Sequence, residues 1–219
     1  MTTFPKDELN RVRRLPERGQ YDSADIYPII DEALLCHVGI VQDGQPVVIP
    51  TLHARDGDRL LLHGATTSRL LKVAQSGAPL CVSITLMDGL VLARSVFHHS
   101  VNYRSVVLFG SGSLVEESEK EAVLERFTEK LLPGRWYDAR RPSKKELKAT
   151  AAVAIPIDLI SAKIRVGPPK DDEEDYSLPV WAGVLPMRQG FGEPEPDPVL
   201  DETVVLPDYL RSFVDRNKG

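Results

Sequence analysis

Two Asp-Gly pairs constrain the fold of this 219-residue chain more than any other feature, because each separates two apolar, strand-like runs. Asp-Gly is favoured in tight β-hairpin turns, since the central residues of such turns need positive φ angles. Asp43-Gly44 and Asp56-Gly57 therefore predict three consecutive antiparallel strands, over Cys36–Val41, Pro46–Arg55 and Arg59–His63. A meander of this kind excludes a doubly wound parallel sheet.

Further strands and helices are predicted from the spacing of apolar residues. The predicted strands cover residues 79–87, 90–97, 103–115 and 152–166. The predicted helices cover residues 23–34, 66–75, 118–132 and 143–149. We expect Asp88-Gly89 to form a turn between the first two of these strands, and Ser118 and Glu121 to form a capping box at the third helix. Six or seven mostly sequential strands with inserted helices indicate a mainly β (α+β) fold, an antiparallel β-barrel with flanking helices.

The composition changes near both ends of the chain. Residues 1–22 are polar and rich in arginine, which indicates an N-terminal arm. Residues 188–219 begin with an acidic, proline-rich stretch typical of an extended linker and end in a tail segment near Leu206–Val214. We therefore expect one folded domain over residues 23–187, with an arm before it and a linker and tail after it.

The charge balance bears on the class of partner. A net charge of −5 argues against nucleic acid or an anionic membrane as the main partner, since both require a basic surface. The basic cluster between Arg135 and Lys148 is a local exception that we interpret as a solvated helix face. Two isolated cysteines, Cys36 and Cys81, exclude a disulfide framework, and the first residues lack the apolar core of a signal peptide. These features predict a cytoplasmic protein.

The stretch His63–Arg69 predicts a site for a phosphate group. A strand ends at Gly64, and a helix rich in hydroxyl groups begins with Thr66-Thr67-Ser68-Arg69. Backbone N–H groups at a helix start point toward an anion, and an arginine adds a charged fork. The same residues could equally cap the helix and carry a surface charge.

Arg104 lies in a second candidate segment, Tyr103-Arg104-Ser105, which an apolar run follows. A buried arginine needs an anionic partner, and a phosphate or an acidic side chain would serve equally. His63 is the candidate catalytic residue, although a histidine at a strand end is as often structural. His98-His99 would point to opposite faces of a strand and could not easily bind one ion, so we predict no metal site.

An ordered set of short motifs runs through residues 14–187. The motifs are Arg18-Gly19-Gln20-Tyr21-Asp22, Cys36-His37-Val38-Gly39, Pro50-Thr51, His63-Gly64, Ser68-Arg69, Asn102-Tyr103-Arg104-Ser105-Val106, Ser161-Ala162-Lys163-Ile164-Arg165 and Trp181-Ala182-Gly183-Val184-Leu185-Pro186. With this set the chain resembles the FMN-binding split-barrel proteins related to pyridoxamine 5'-phosphate oxidase, and most closely their nitroimidazole-reductase-like branch. The resemblance implies a six- to seven-stranded antiparallel split β-barrel that forms a homodimer with FMN at the subunit interface.

The same resemblance implies where the flavin binds. The strand at Val48–Leu52 would run along the isoalloxazine ring, and the helix start at Thr66–Arg69 would hold the phosphate. Lys72 one turn later, the strand at Tyr103–Ser105 and Trp181 would complete the site. The implied cofactor-binding residues are Val48, Ile49, Pro50, Thr51, His63, Gly64, Thr67, Ser68, Arg69, Lys72, Tyr103, Arg104, Ser105 and Trp181.

The function implied by the resemblance is that of an FMN-dependent oxidoreductase. It would pass electrons from NAD(P)H to a small, flat substrate such as a nitro-aromatic, with the redox chemistry supplied by the cofactor. The alternative is a carrier or sensor that binds flavin or haem without turnover; FMN is expected ahead of FAD or haem, and a deazaflavin is not excluded. Oxidation of pyridoxamine phosphate itself is not expected, because the true oxidases carry an Arg-x-His element near the C-terminus and this chain has none.

Overall fold

The computed structural model describes residues 2–218, which form two antiparallel sheets with six α-helices around them. The strands are β1 (Gly19–Gln20), β2 (Leu35–Gln42), β3 (Gln45–Leu52), β4 (Ala54–Asp56), β5 (Arg59–Ala65), β6 (Leu80–Leu92), β7 (Ser100–Gly110), β8 (Ser113–Leu114), β9 (Thr150–Pro156), β10 (Leu159–Arg165) and β11 (Gly183–Pro186). The helices are α1 (Ser23–Glu32), α2 (Arg69–Gln75), α3 (Lys120–Leu131), α4 (Arg135–Asp138), α5 (Lys144–Ala149) and α6 (Asp208–Arg216). The prediction of a mainly β, antiparallel fold with flanking helices is confirmed.

The two sheets enclose one apolar core. The larger sheet has the strand order β1-β10-β7-β6-β2-β3, with β11 paired to β6, and the smaller has the order β4-β5-β9-β8. Val38 and Ile84 from the larger sheet meet Leu62 and Ile155 from the smaller one, and Ile29 of α1 joins them. Within residues 2–218 no strand pairing joins the two sheets, so the barrel is open. The predicted split β-barrel is confirmed.

The chain changes sheet within two segments that we predicted to be single strands. Residues 46–55 divide into β3 and β4, and residues 152–166 divide into β9 and β10. In both cases the two halves belong to different sheets. The hairpins at Asp43-Gly44 and Asp56-Gly57 do form, joining β2 to β3 and β4 to β5. The prediction of one continuous three-stranded meander is therefore wrong, although both of its turns are confirmed.

The first change of sheet occurs at His53. Its side chain is only 1% exposed, and its Nε2 lies 2.9 Å from the carbonyl oxygen of Ile30 in α1. At the second change of sheet, the backbone N–H of Ile157 donates to the carbonyl of Asp58 at 2.8 Å. Both contacts join segments that are distant along the chain, which explains why a local apolar pattern did not predict them.

Asp88-Gly89 is a β-bulge within β6 and does not form the predicted turn. β6 continues to Leu92, with a register shift between Met87 and Gly89 in its pairing with β7. β11 pairs with β6 here, and a Cβ atom added to Gly89 would lie 2.8 Å from the carbonyl oxygen of Leu185. Glycine is needed because the two backbones approach each other closely.

The predicted capping box at Ser118 is also wrong. α3 begins two residues later, at Lys120, after a 3-10 turn over Glu117–Glu119, and its N-cap residue Glu119 makes no side-chain capping bond. A capping box forms instead at α5, where Ser143 Oγ accepts from the N–H of Glu146 at 3.3 Å and the Glu146 carboxylate accepts from the N–H of Ser143 at 2.7 Å. Both segments carry a serine followed three residues later by a glutamate, so the sequence signal alone did not distinguish them.

Two segments, α3 and the C-terminal segment, lie outside the main core, whereas the N-terminal arm contributes Phe4 to it. α3 packs Val123 and Phe127 on the outer face of the smaller sheet, against Leu61 and Ala152. The N-terminal arm buries Phe4, and the C-terminal segment contributes α6. In the part of the chain that the structure describes, no helix has both the length and the apolar character needed to cross a lipid bilayer.

Candidate functional site

The start of α2 presents two cations without partners. Ser68 is the N-cap residue, and its Oγ accepts a long hydrogen bond of 3.5 Å from the N–H of Leu71. Arg69 and Lys72 follow on the exposed surface, and among residues 2–218 neither makes an ion pair. Thr67 is exposed beside them. The chain thus places two unpaired positive charges and a helix start at one surface position, which is the arrangement that an anion needs.

Gly64 lies immediately before this helix and has a packing role. A Cβ atom added to Gly64 would lie 3.3 Å from the Cδ1 atom of Leu71. An alanine here would therefore require the side chain of Leu71 to move by a few tenths of an ångström. The glycine positions the candidate phosphate site without contacting a ligand through a side chain.

β3 is the edge strand of the larger sheet and carries Val48, Ile49, Pro50 and Thr51. It pairs with β2 on one side, and its other edge has no strand partner among residues 2–218. Proline is tolerated at such an edge because no ladder hydrogen bond is lost. β3 also contacts β5, and α2 contacts β2. The edge strand and the start of α2 therefore belong to one region of the protomer.

Arg104 lies in a different environment from Arg69. Its guanidinium donates to Asp88 at 2.7 and 3.0 Å and to Glu32 at 2.8 Å. Hydrogen bonds from these carboxylates raise the pKa of Arg104 above its usual value. The sequence allowed either a phosphate or acidic side chains as the partner of Arg104, and the structure shows the acidic side chains of Asp88 and Glu32. That Arg104 contacts a phosphate stays a prediction; within the protomer its anionic partners are the carboxylates of Asp88 and Glu32.

The neighbours of Arg104 are also separated from α2. β7 is separated from the edge strand β3 by β6 and β2. Ser105 donates its hydroxyl hydrogen to the carbonyl of Lys163 at 3.2 Å, and Tyr103 is half-buried. Within one protomer the structure does not bring Tyr103–Ser105 together with the start of α2.

Trp181 is 68% exposed in the segment before β11. Its ring lies against Gly183, where an added Cβ atom would be 2.9 Å from Cη2. The structure therefore places this tryptophan on the surface of the protomer, with its ring folded back on its own segment.

His63 lies on the face of β5 that contacts α3. Its ring packs on Phe127 with a centroid distance of 4.1 Å. Nδ1 is buried and has no hydrogen-bond partner in residues 2–218, and burial lowers the pKa of the imidazole. The family resemblance groups His63 with the phosphate residues, whereas strand alternation directs its side chain away from the large core that α2 covers.

His98 and His99 make separate local contacts. His98 Nε2 lies 3.1 Å from a carboxylate oxygen of Asp172, and His99 Nδ1 lies 3.1 Å from the carbonyl oxygen of Ser95. Residues 96–98 form a short 3-10 helix, so our argument from strand geometry does not apply to them. No group of three potential metal ligands occurs in the described residues.

A half-buried lysine and a buried histidine form a pair that no sequence motif indicated. Lys130 Nζ lies 3.1 Å from His53 Nε2 and donates to the carbonyl of Ile30 at 2.9 Å. Burial lowers the pKa of Lys130 to about 8; burial and the charge of Lys130 lower that of His53 to about 4. Lys130 follows Val123 and Phe127 at helical spacing on the buried face of α3, and that spacing was the available signal.

Comparisons with known proteins agree with this architecture. Residues 22–164 match the family described as pyridoxamine 5'-phosphate oxidase. The flavocytochrome Anf3 from Azotobacter vinelandii is 39% identical, with a TM-score of 0.89 over 94% of this chain and 97% of that chain. The FAD- and haem-binding protein from Mycobacterium smegmatis is 36% identical, with a TM-score of 0.87 over 90% of this chain and 97% of that chain.

A more distant match shows the fold alone. A proposed 5-nitroimidazole antibiotic resistance protein from Bacteroides thetaiotaomicron is 22% identical, with a TM-score of 0.56 over 67% of this chain and 86% of that chain. No curated protein matches the chain.

Proposed function

Because the chain belongs to the pyridoxamine 5'-phosphate oxidase family, we propose that it is a redox protein that binds a flavin nucleotide beside β3 and α2. The single observation that carries this proposal is the pair of exposed cations, Arg69 and Lys72, that have no ion-pair partner in residues 2–218. Unpaired cations one helical turn apart favour a doubly charged phosphate.

The phosphate would be bound by charged side chains, hydroxyl groups and backbone N–H groups at the start of α2. Arg69 supplies a planar fork of donors and Lys72 supplies a compact charge. Ser68 and Thr67 add hydroxyl groups. The first backbone N–H groups of the helix add donors that point along the helix axis, although the N–H of Leu71 already donates to Ser68 Oγ.

The edge strand β3 would hold the flavin ring. An edge strand offers unpaired backbone N–H and C=O groups, which match the donors and acceptors along one side of an isoalloxazine. The side chains of Val48 and Pro50, which lie on the exposed face of β3, would then exclude water from one face of the ring, whereas Ile49 points toward the core. Bound flavin supplies hydride and single-electron chemistry, and the protein supplies position and electrostatics.

A second copy of the chain would complete the site. Leu35, Val41 and Val48 lie on β2 and β3 with exposures of 54%, 62% and 65%. An apolar surface of this kind on two paired strands favours association. Trp181, Tyr103 and Ser105, which lie away from α2 in their own protomer, would then be contributed by the partner copy.

The proposed reaction takes electrons from NAD(P)H and passes them to a small, flat acceptor that stacks on the exposed face of the ring. A nitro-aromatic is the acceptor class that the resemblance implies. No side chain beside β3 and the start of α2 is assigned as a proton donor.

A second candidate function has support from two relatives. The proteins with 39% and 36% identity are a flavocytochrome and an FAD- and haem-binding protein, and each matches this chain over at least 90% of its length. On this reading the flavin is FAD and a haem binds as well, so that the chain transfers single electrons between the two groups. FMN and FAD share the phosphate that α2 would bind.

The absorption spectrum and the extracted cofactor test both candidates. The full chain is purified without added cofactor, and its visible spectrum is recorded before denaturation. Released flavin is then separated by chromatography into FMN and FAD. Two flavin bands that bleach on addition of NADH or NADPH would support the redox proposal; a protein that neither retains nor binds flavin would contradict it.

A further inference from the structure

Arg165, at the end of β10, is a buried arginine without an acidic partner. It is only 8% exposed. Its Nη1 donates to Oδ1 of Asn102 and, at 3.4 Å, to the carbonyl of Gly167, and both of these acceptors are neutral. Within residues 2–218 its guanidinium makes no ion pair. A buried charge is costly unless an opposite charge compensates it, so Arg165 lacks a counterion.

A second arginine, Arg18, lies near Arg165. Arg18 ends the short 3-10 helix Pro16–Arg18, which contacts β10. Burial, and then the charge of Arg18, lower the pKa of Arg165. Arg18 is half-buried, and neither it nor the exposed Glu17 makes an ion pair in the part of the chain that the structure describes. Two like charges at close range repel each other, and an anion bound to both would remove that cost.

Arg165 lies on the outer face of the larger sheet. The residues that β10 directs into the main core are Ile160, Ala162 and Ile164, so strand alternation directs Arg165 away from that core. Arg165 is directly opposite Tyr103 in the pairing of β10 with β7, and their side chains therefore share a face. Arg104, the next residue, points to the other face, where Asp88 and Glu32 pair with it. The carboxylates that neutralise Arg104 are thus unavailable to Arg165.

A groove lies beside this position on the same face of the sheet. Its cavity volume is about 310 Å³, at the small end of the range of ~300–1,000 Å³ for ligand pockets. Lys163, two residues before Arg165, lines the groove together with Arg14 of the N-terminal arm. Val107 and Phe109 add apolar surface to its lining. The groove therefore offers space for the body of a small organic ligand whose anionic group lies at Arg165.

We infer that Arg18 and Arg165 form a binding site for an oxyanion, the carboxylate or phosphate group of a small ligand other than the flavin. The planar fork of an arginine matches two oxygen atoms of such a group. In the function proposed above, the flavin phosphate has its own cations, Arg69 and Lys72, so a second pair of arginines without counterions calls for a second anion. The site consists of residues of one protomer and does not depend on bound flavin.

Isothermal titration calorimetry on the full-length protein tests this site. The starting protein is Arg69→Ala, which removes the candidate phosphate site at α2, and the probes are inorganic phosphate, benzoate and uncharged benzamide at constant ionic strength. We expect phosphate or benzoate to bind once per chain and benzamide not to bind; the tighter of the two anions identifies the class of ligand. Adding Arg165→Gln should weaken binding by at least about tenfold, because charge-assisted hydrogen bonds are lost, and Arg18→Gln should weaken it several-fold. Arg188→Gln, at an exposed position, is the matched control and should leave binding unchanged.

Urea unfolding separates a binding role of Arg165 from a structural one. Without added anion, Arg165→Gln should be at least as stable as wild type, because it removes an uncompensated charge. Phosphate or benzoate should raise the unfolding midpoint of wild type and not that of Arg165→Gln, since only a folded state with the site gains from the ligand. Destabilisation of Arg165→Gln with no effect of either anion on wild type would make Arg165 a structural residue and overturn the inference.

Two further outcomes distinguish this site from the flavin site. Equal anion affinity with and without Arg165→Gln would overturn the inference, whatever the flavin content of the protein. Saturating wild-type protein with FMN or FAD should leave anion binding at Arg165 unchanged, and its loss would assign both arginines to the flavin and overturn the inference as well. Anion binding that depends on Arg165, in a protein that binds no flavin, would contradict the flavin proposal alone.

Discussion

Arg104 and Arg69 are the same type of residue but differ in their ion-pair partners. Arg104 has both of its carboxylate partners, Glu32 and Asp88, within 3.0 Å. Arg69 has no ion-pair partner in residues 2–218. The sequence predicts both arginines as phosphate ligands. It does not reveal the carboxylates that neutralise Arg104, because they lie 16 and 72 residues away along the chain. Only the arginine without a partner remains available to an anion from solution.

Arg69→Ala tests this distinction. The substitution should weaken FMN or FAD binding by about 10- to 150-fold, since a charge-assisted hydrogen bond contributes about 1.5–3 kcal/mol. Riboflavin affinity should stay within about twofold of wild type, because riboflavin has no phosphate. Fluorescence titration of the apoprotein gives both constants. Arg211→Ala, at an exposed position on α6, serves as the control; equal losses for riboflavin and FMN in Arg69→Ala would show that Arg69 does not contact the phosphate.

His53 gives the fold a dependence on pH. Its pKa is about 4 in the folded chain and 6.5 in the unfolded chain, because burial and the nearby Lys130 disfavour its charged form. Between pH 6.5 and pH 4 the unfolded state binds a proton that the folded state does not. Stability therefore falls as the pH falls through this window, by roughly 3 kcal/mol in total.

His53→Gln should remove this dependence while the amide still donates to the carbonyl of Ile30. Urea unfolding at pH 6.5 and pH 4.5 measures the free energy of unfolding of both proteins. We expect the loss on acidification to be smaller in the variant than in wild type. The same loss in both proteins would assign the acid sensitivity to other groups.

At the scale of elements, the bulge in β6 and the two changes of sheet set the shape of the barrel. The sequence predicts a turn in place of the bulge and one unbroken strand in place of each change of sheet. A glycine after an aspartate favours both a hairpin turn and a bulge, and the choice depends on what lies across from it. Here β11, which comes almost 100 residues later, pairs against Gly89.

Gly89→Ala should therefore destabilise the protein. The added Cβ would lie 2.8 Å from the carbonyl oxygen of Leu185 and 3.2 Å from the Cα atom of Pro186, so β11 would have to shift. We expect a loss of about 1–3 kcal/mol in the free energy of unfolding, with faster amide exchange in β11. Gly39→Ala on β2 is the matched control, since its nearest contact is 3.6 Å. Equal stability of the two variants would contradict the close approach of β11.

At the scale of the whole molecule, the exposed apolar strip on β2 and β3 is the feature that a single chain leaves unexplained. Val48 lies at the centre of this strip, opposite Gly39, and also on the strand proposed to hold the flavin ring. We propose that a second copy covers the strip. The dimer and the flavin site would then depend on the same surface.

Val48→Glu should disrupt both together. A charge at a buried interface position is costly, so we expect the dimer to dissociate at least about tenfold more readily and the flavin content to fall with it. Light scattering coupled to size exclusion gives the mass, and the visible spectrum gives the flavin content. Val199→Glu, at an 88% exposed position in the C-terminal segment, is the control. A wild-type monomer that retains flavin would refute the shared interface.

Local sequence patterns were enough to predict the class of fold, the two hairpins at Asp43-Gly44 and Asp56-Gly57, and a helix after Gly64, although that helix begins at Arg69 and not at the predicted Thr66. These features depend on residues that are neighbours in the chain, where turn geometry and capping act. Long-range packing decides that the chain changes sheet at His53, that Arg104 is neutralised, and that His63 faces α3. Each of these depends on partners at least 16 residues away, which packing brings into contact and which no local pattern records.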